Sequence, residues 1–362
     1  MAVGAKGKEL CRLFGGIEDV GCRLIDRRDA RARYGVGRGS RVYCAGSEAE
    51  LTILHVNGFD RKFERTREEH SPMQDAMIHD ISDTALWSAV YRFRESERPD
   101  GLFRDPFAGL LAGERGVRIA GALPFHEKNA WAWVTRTYLF DKIIREQVAQ
   151  GVDTVLNLAA GLDTRPFRMA FPASLRWIEV DLPQLFAYKA AKLAGAQPCC
   201  TLERVPLDLS NAQERRNMFS TIAQSSKNTL VLSEGLLIYL TRDQVAELAS
   251  DLAAQRAFHH WAADIASPGL LEMLRKNTSA AFDRDVPELK FAPPEGPTFF
   301  ERFGWSPLEV HSTLKTAARL RRLTALFRLF ALFPEDPVRR PSRPWSATCL
   351  FARAGEPSHQ DR

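Results

Sequence analysis

The chain has 362 residues, 45% of them hydrophobic and 26% charged, with a formal net charge of +5 at pH 7. Such a chain can bury one large core or two modest ones, and so mild a charge, with basic residues mixed among acidic ones, gives no reason to expect nucleic acid. No stretch reaches the roughly 18 uninterrupted apolar residues of a spanning helix and "MAVGAKGKEL" holds no signal-peptide core, so a cytoplasmic location without a membrane partner is expected.

Residues 1–72 are rich in Arg and Gly, carry a single candidate strand, "AELTILHV", and show no sustained helical periodicity. They are expected to form a poorly ordered extension, or an addition upstream of a natural start at Met73. A domain is expected over 73–355, followed by a short tail, 356–362. From Ser82, "SDTALWSAVYRFRES" has apolar residues at helical spacing, and a second helix is entered through Asp105 and Pro106, a side-chain acceptor followed by a residue with no amide hydrogen to lose. "NAWAWVTRTYLFDKIIREQVAQG", ending in Gly151, reads as a third, amphipathic helix.

After Gly151 strand and helix alternate. Strands are predicted at "TVLNL" (154–158), "RWIEVDLP" (176–183), "CTLERVPLDLS" (200–210), the start of "NTLVLSEGLLIYLT" (228–241) and "HHWAADIA", with helical segments between them. This order argues for an α/β, Rossmann-like doubly wound parallel sheet. Six cysteines without a CxxC pair and eight histidines without an HExxH spacing offer no metal site.

In such sheets ligands bind beyond the C-terminal ends of the strands. Gly161 follows the first predicted strand, Asp181 and Leu182 end the second, Asp208 and Leu209 end the third, and Glu234 ends the fourth. A dinucleotide needs a glycine-rich first loop to bring amides to its pyrophosphate. Here the loop supplies Asn157, Ala159, Gly161, Asp163 and Thr164, one glycine and an acid. The ligand this suits has a ribose, a base and a cationic centre but no phosphate, which describes S-adenosyl-L-methionine. Asp181, 20 residues after Gly161, is expected to accept the ribose hydroxyls, Asp208 and Leu209 to flank the adenine, and Glu234 to close the pocket near the amino-acid moiety or the acceptor.

The ordered motifs "VLNLAAGLDTRPFR", "IEVDLPQLFAYKAAKL", "PLDLS" and "LVLSEGLLIYLT" together resemble the leucine carboxyl methyltransferase family, in particular its bacterial O-methyltransferase branch, over roughly residues 75 to 354. The resemblance implies a class I S-adenosylmethionine-dependent methyltransferase fold, seven strands with the last antiparallel, with added helices over the active site. It also implies that Arg136, in the helix before the first strand, holds the methionine carboxylate. The family's Asn-Leu-Gly-Ala-Gly loop has Ala159 here in place of its first glycine.

The expected reaction is O-methylation of a carboxylate or hydroxyl on a small-molecule acceptor. It needs little beyond near-attack positioning and exclusion of water. A carboxylate acceptor needs no base, whereas a hydroxyl does, and the candidates are His126, Tyr138, Tyr239 and His260. The acceptor site is expected from the N-terminal helices, residues 274–305, and "LKTAARLRRLTALFRLFALF" (314–333). The last reads as a crossover helix with its apolar face on the sheet; lying on a membrane or covering a greasy substrate is the alternative. Two rivals share the scaffold: a catalytically idle cofactor-binding protein, and an NAD(P)-dependent oxidoreductase, which requires the glycine-rich loop that is absent. Nothing in the sequence sets an oligomeric state.

Overall fold

A computed structural model of the protein describes residues 81–122, 125, 128–278 and 288–355. The expected N-terminal extension, the start at Met73, the tail and the candidate base His126 lie outside the described residues. Three helices come first: α1 (Ile81–Ser96), α2 (Ala108–Ala122) and α3 (Ala130–Ala149). Then follow β1 (Thr154–Leu158), the one-turn α4 (Arg165–Arg168), β2 (Arg176–Asp181), α5 (Pro183–Lys192), β3 (Thr201–Pro206), α6 (Ala212–Ser225) and β4 (Thr229–Ser233). A 3-10 turn (Leu237–Tyr239) leads to α7 (Arg242–Ala253), β5 (Phe258–Ala266) and α8 (Pro268–Thr278), and a second 3-10 segment (Gly296–Phe303) to β6 (Trp305–Ser312), α9 (Thr313–Arg319), α10 (Ala325–Phe330) and β7 (Ser346–Arg353).

The seven strands form one sheet in the order β3-β2-β1-β4-β5-β7-β6. Strands β1 to β5 pair in parallel, and β7 runs antiparallel between β5 and β6. This is the class I methyltransferase topology, with its order reversing between β1 and β4, where a crevice opens at the strand ends.

Strand periodicity explains why both faces are covered. Leu156, Leu158, Ile178, Val180, Val231, Trp261 and Phe351 point to one side, where they pack with Phe219 of α6 and with Val245 and Leu248 of α7. The residues between them, Val155, Trp177, Leu230, Leu232, Ala262 and Leu350, point to the other and meet Phe140, Ile143 and Ile144 of α3. A period of two puts alternate side chains on opposite faces, so an almost continuously apolar strand needs helices on both. A third cluster joins α1 and α2 to Leu185 and Leu193 around α5. On the same side, Lys189 of α5 reaches Glu179 of β2 at 2.6 Å with both side chains fully buried, and Arg204 adds a second cation at 3.1 Å.

Two expectations change. Segment 314–333 is not one helix covering the sheet. α9 ends in a Schellman-type stop: Arg321 takes a positive φ of 56°, its amide bonds the Ala318 carbonyl and that of Arg322 bonds Ala317. α10, beyond the stop, buries none of its residues. The other change is at β6, which begins inside the stretch assigned to the acceptor site. It contains Pro307, next to a register shift at Pro307/Glu309, on the outermost strand of the sheet. Proline has no amide to give a ladder, so it is tolerated at an edge bulge of this kind and masks the strand in the sequence.

Candidate active site

The loop after β1 turns through two left-handed residues, Ala159 (φ 51°) and Gly161 (φ 54°). That curl aims successive amides at the end of β2: Ala160 N–H donates to the Val180 carbonyl at 3.1 Å, and Gly161 N–H to one Asp181 carboxylate oxygen at 2.6 Å. The other Asp181 oxygen accepts the Leu182 amide at 2.7 Å. The carboxylate is thereby clasped beside the loop. Burial raises its pKa, and the two amides only partly oppose that.

Asp163 has a different task from the one its charge suggested. It accepts from Asn157 Nδ2 and from the Arg165 guanidinium, each at 2.8 Å, and from the Arg165 backbone amide at 2.8 Å. Burial alone would raise its pKa, but Arg165 and nearby cations hold it down at about 2. Its charge is therefore spent inside the protein, and repulsion of phosphate by Asp163 is much reduced. Arg165 also binds Asp141 of α3 at 2.7 Å and Glu234 at 2.9 Å. Arg168 binds Asp141 at 2.7 Å, and Asp105, expected only as a helix cap, is buried between Arg92 at 2.9 Å and Thr164 at 2.7 Å. This mesh of charge-assisted bonds ties the first loop to α1 and α3.

On the far side of the crevice, Arg136 of α3 forks between two acids at successive strand ends. Its Nε donates to Glu234 beyond β4 at 3.1 Å, and a terminal nitrogen to Asp264 near the end of β5 at 3.3 Å. Asp264 also accepts the Gly235 amide at 2.6 Å. Gly235 has a φ of +69°, a conformation that glycine adopts without strain, and it sits against the Arg136 guanidinium at the fork. Burial pushes Asp264 up despite Arg136, while the two acids keep Arg136 firmly protonated against its own burial. Tyr239 lies next to this group; burial raises its hydroxyl pKa, against a hydrogen bond with Thr84 and the charge of Arg136.

A cavity of about 900 Å³ is lined by Arg136, Asn157, Ala159, Gly161, Asp181, Glu234 and Tyr239 together. Leu182, Asp208, Leu209, Tyr138 and His260 are not among its lining residues, although Leu185 is. Asp208 is exposed and accepts the Ser210 amide at 2.9 Å, the turn-capping role open to any such acid. Leu209 packs against the core and its carbonyl accepts from Arg215. His260 pairs with Leu230 early in β5, about 13 Å along the strand from Asp264, away from the edge where ligands bind. Asp264 and Arg165 are the residues that sequence reading missed. Their traces are an acid at an apolar strand's end in "AADIA", and arginines three apart in "TRPFR", which one helical turn puts on the same face.

Much of the remaining lining is aromatic and aliphatic, with Trp131, Trp133, Ile238, Met273, Phe291 and Phe327. The volume lies near the top of the range for single small-molecule pockets, which leaves room for two ligands side by side.

Residues 85–253 match the family model described as leucine carboxyl methyltransferase. A protein of Parafrankia sp. named as an S-adenosyl-L-methionine-dependent methyltransferase is 33% identical over 271 residues, 67% of this chain and 82% of its own. One of Streptomyces coelicolor, similarly named, is 34% identical over 183 residues, 48% of this chain and 65% of its own, and one of Mycobacteroides abscessus is 33% identical over 49% and 62%. The matched region thus spans under two thirds of the length of these last two relatives. Among solved structures, a DUF574 family protein from Streptomyces avermitilis superposes with a TM-score of 0.48 at 10% identity, covering 78% of this chain and 99% of that one. On the sequence matches, with the sheet order and the strand-end acids beside them, the chain belongs to the leucine carboxyl methyltransferase family.

Proposed function

We propose that this protein is an S-adenosyl-L-methionine-dependent methyltransferase that O-methylates a small, largely apolar acceptor, through a carboxylate or hydroxyl. The observation that carries the reading is the Asp181 carboxylate, held by the Gly161 and Leu182 amides at the end of β2 and open to the cavity beside a glycine-poor loop. The donor set suits the cofactor at two points. Asp181 offers acceptor sites for vicinal ribose hydroxyls, and the Arg136, Glu234 and Asp264 cluster offers a cation for a carboxylate and anions for an ammonium. Asp208 and Leu209 do not belong to this set, so the adenine assignment has no support from the cavity lining.

When bound, the cofactor supplies a methyl group already activated on a sulfonium. The chain's part is to orient and to exclude water. The aromatic lining keeps the acceptor dry, which strengthens attraction between an acceptor anion and the methyl donor. At neutral pH the raised Tyr239 hydroxyl is a hydrogen-bond donor, not a base. No histidine stands among the described lining residues. A carboxylate acceptor, which arrives ionised and needs no base, is the acceptor class we favour.

Calorimetric titration of S-adenosylhomocysteine against NADH tests the cofactor half. Binding of the first and not the second is expected, with at least a tenfold loss of affinity, about 1.4 kcal/mol, in Asp181→Ala and in Arg136→Ala. NADH binding, or unchanged affinity in Asp181→Ala, would refute the assignment. Transfer from labelled cofactor to a panel of apolar carboxylic acids, phenols and alcohols tests the acceptor half. Carboxylic acids are expected to be labelled first, and absence of transfer to any member would favour the idle-binder alternative.

A further inference from the structure

The second half of the segment that was expected to cover the sheet does not. α10 and the residues after it expose Leu326, Leu329, Phe330, Leu332, Phe333 and Val338, with Leu332 79% accessible, and these make up more than half of the large apolar side chains exposed among the described residues. α10 is held from below by Phe327, whose ring lies 5.9 Å from that of Trp131. A soluble protein scatters its exposed apolar residues; a run of six within thirteen positions is a contact surface waiting for a partner.

Charge identifies the partner. Residues 319–343 contain seven arginines against two acids, Glu335 and Asp336, a net charge of +5 that equals the excess of the entire chain. Arg322 is turned inward onto Glu95 and Asp100. The other six, Arg319, Arg321, Arg328, Arg339, Arg340 and Arg343, are exposed. Exposed aliphatic and phenylalanine side chains interspersed in sequence with exposed arginines are the composition of a segment lying at a lipid–water interface, where apolar groups enter the acyl boundary and cations meet anionic headgroups. A protein partner of ordinary composition would require acids facing each of these arginines, whereas a charged bilayer supplies them everywhere.

We propose that residues 325–343 dock this protein on the surface of a bilayer containing anionic lipid. The same segment borders the cavity, since Phe327, Phe330, Phe333, Arg340 and Arg343 also line it. On the functional reading above, docking would let an apolar acceptor enter from the bilayer; the docking itself does not depend on that reading.

Co-sedimentation of the full chain with vesicles, without cofactor, tests it. Binding to phosphatidylcholine vesicles doped with phosphatidylglycerol is expected, with little binding to pure phosphatidylcholine and weakening as salt rises. Leu329→Ser with Leu332→Ser should reduce the partition coefficient at least tenfold, and Arg328→Gln with Arg339→Gln should remove most of the preference for anionic vesicles. All four side chains are exposed and none lines the cavity, so thermal melts should match the wild type. Failure to bind anionic vesicles, or binding by both variants as tight as that of the wild type, overturns the proposal. So does sedimentation equilibrium showing a dimer that the leucine variant dissociates, because a second copy would then cover the patch. Vesicle binding is read without turnover, so its failure is distinguishable from failure to bind S-adenosylhomocysteine.

Discussion

Ala159 is a residue where sequence and backbone disagree. Its φ of 51° lies in the left-handed region, where a Cβ crowds the following carbonyl and costs roughly 1–2 kcal/mol. The loop nevertheless keeps this turn, because the neighbouring amides at Ala160 and Gly161 must reach Val180 and Asp181. Sequence reading flagged this position only as an alanine in place of the family's first loop glycine; the effect is torsional. Ala159→Gly should relieve the strain, and part of the gain is offset by the freer unfolded chain, about 0.4–1 kcal/mol. A net stabilisation of about 0.5–1 kcal/mol is expected, read from urea melts. A variant no more stable than the wild type would show that the loop is not strained at this residue.

At the scale of elements, α3 and α4 are joined by buried charge. Asp141 receives both Arg165 and Arg168, and all three side chains are 4% exposed. Burial opposes ionisation of Asp141, and the two guanidiniums overcome it and lower its pKa. Without Asp141, Arg168 keeps Asp105 at 3.9 Å and Arg165 keeps Asp163 and Glu234, and this buried mesh is left one anion short. Asp141→Ala is therefore expected to destabilise the protein by about 3–5 kcal/mol, the usual effect of removing one partner of a buried pair. A loss below about 1 kcal/mol in chemical denaturation would mean that water enters when the anion is removed. Asp141 does not line the cavity, so any accompanying loss of S-adenosylhomocysteine affinity would report a displaced first loop.

For the molecule as a whole, what was legible depended on how local the cause was. The parallel strands showed themselves because strands covered on both faces are almost wholly apolar, and the acids at their ends showed themselves by position. Asp181, Glu234 and Arg136 do share one cavity. The Arg165 hub and the fork onto Asp264 were hidden, because each joins residues far apart in sequence, such as Arg136 and Asp264. β6 was hidden by its proline, and the break after α9 by an arginine in a conformation expected of glycine. The same long-range charge mesh governs how the whole fold responds to acid. Asp163 titrates at about 2 in the folded protein, against 3.8 for an ordinary aspartate. A depressed carboxylate contributes stability that is fully present above its unfolded pKa and is lost as pH falls through the folded value, so the window is about pH 4 to 2. The shift corresponds to about 2 kcal/mol from this group, with Asp141 acting in the same direction. Asp181 and Asp264 act oppositely, since burial raises both and their protonation favours the folded state. The expected result is a stability profile that changes little down to about pH 4 and then falls steeply. In Asp163→Asn, less stable at neutral pH, the fall between pH 4 and 2 should be shallower. Denaturant midpoints across that range decide the matter, and parallel profiles for variant and wild type would place the acid sensitivity in carboxylates outside the first loop.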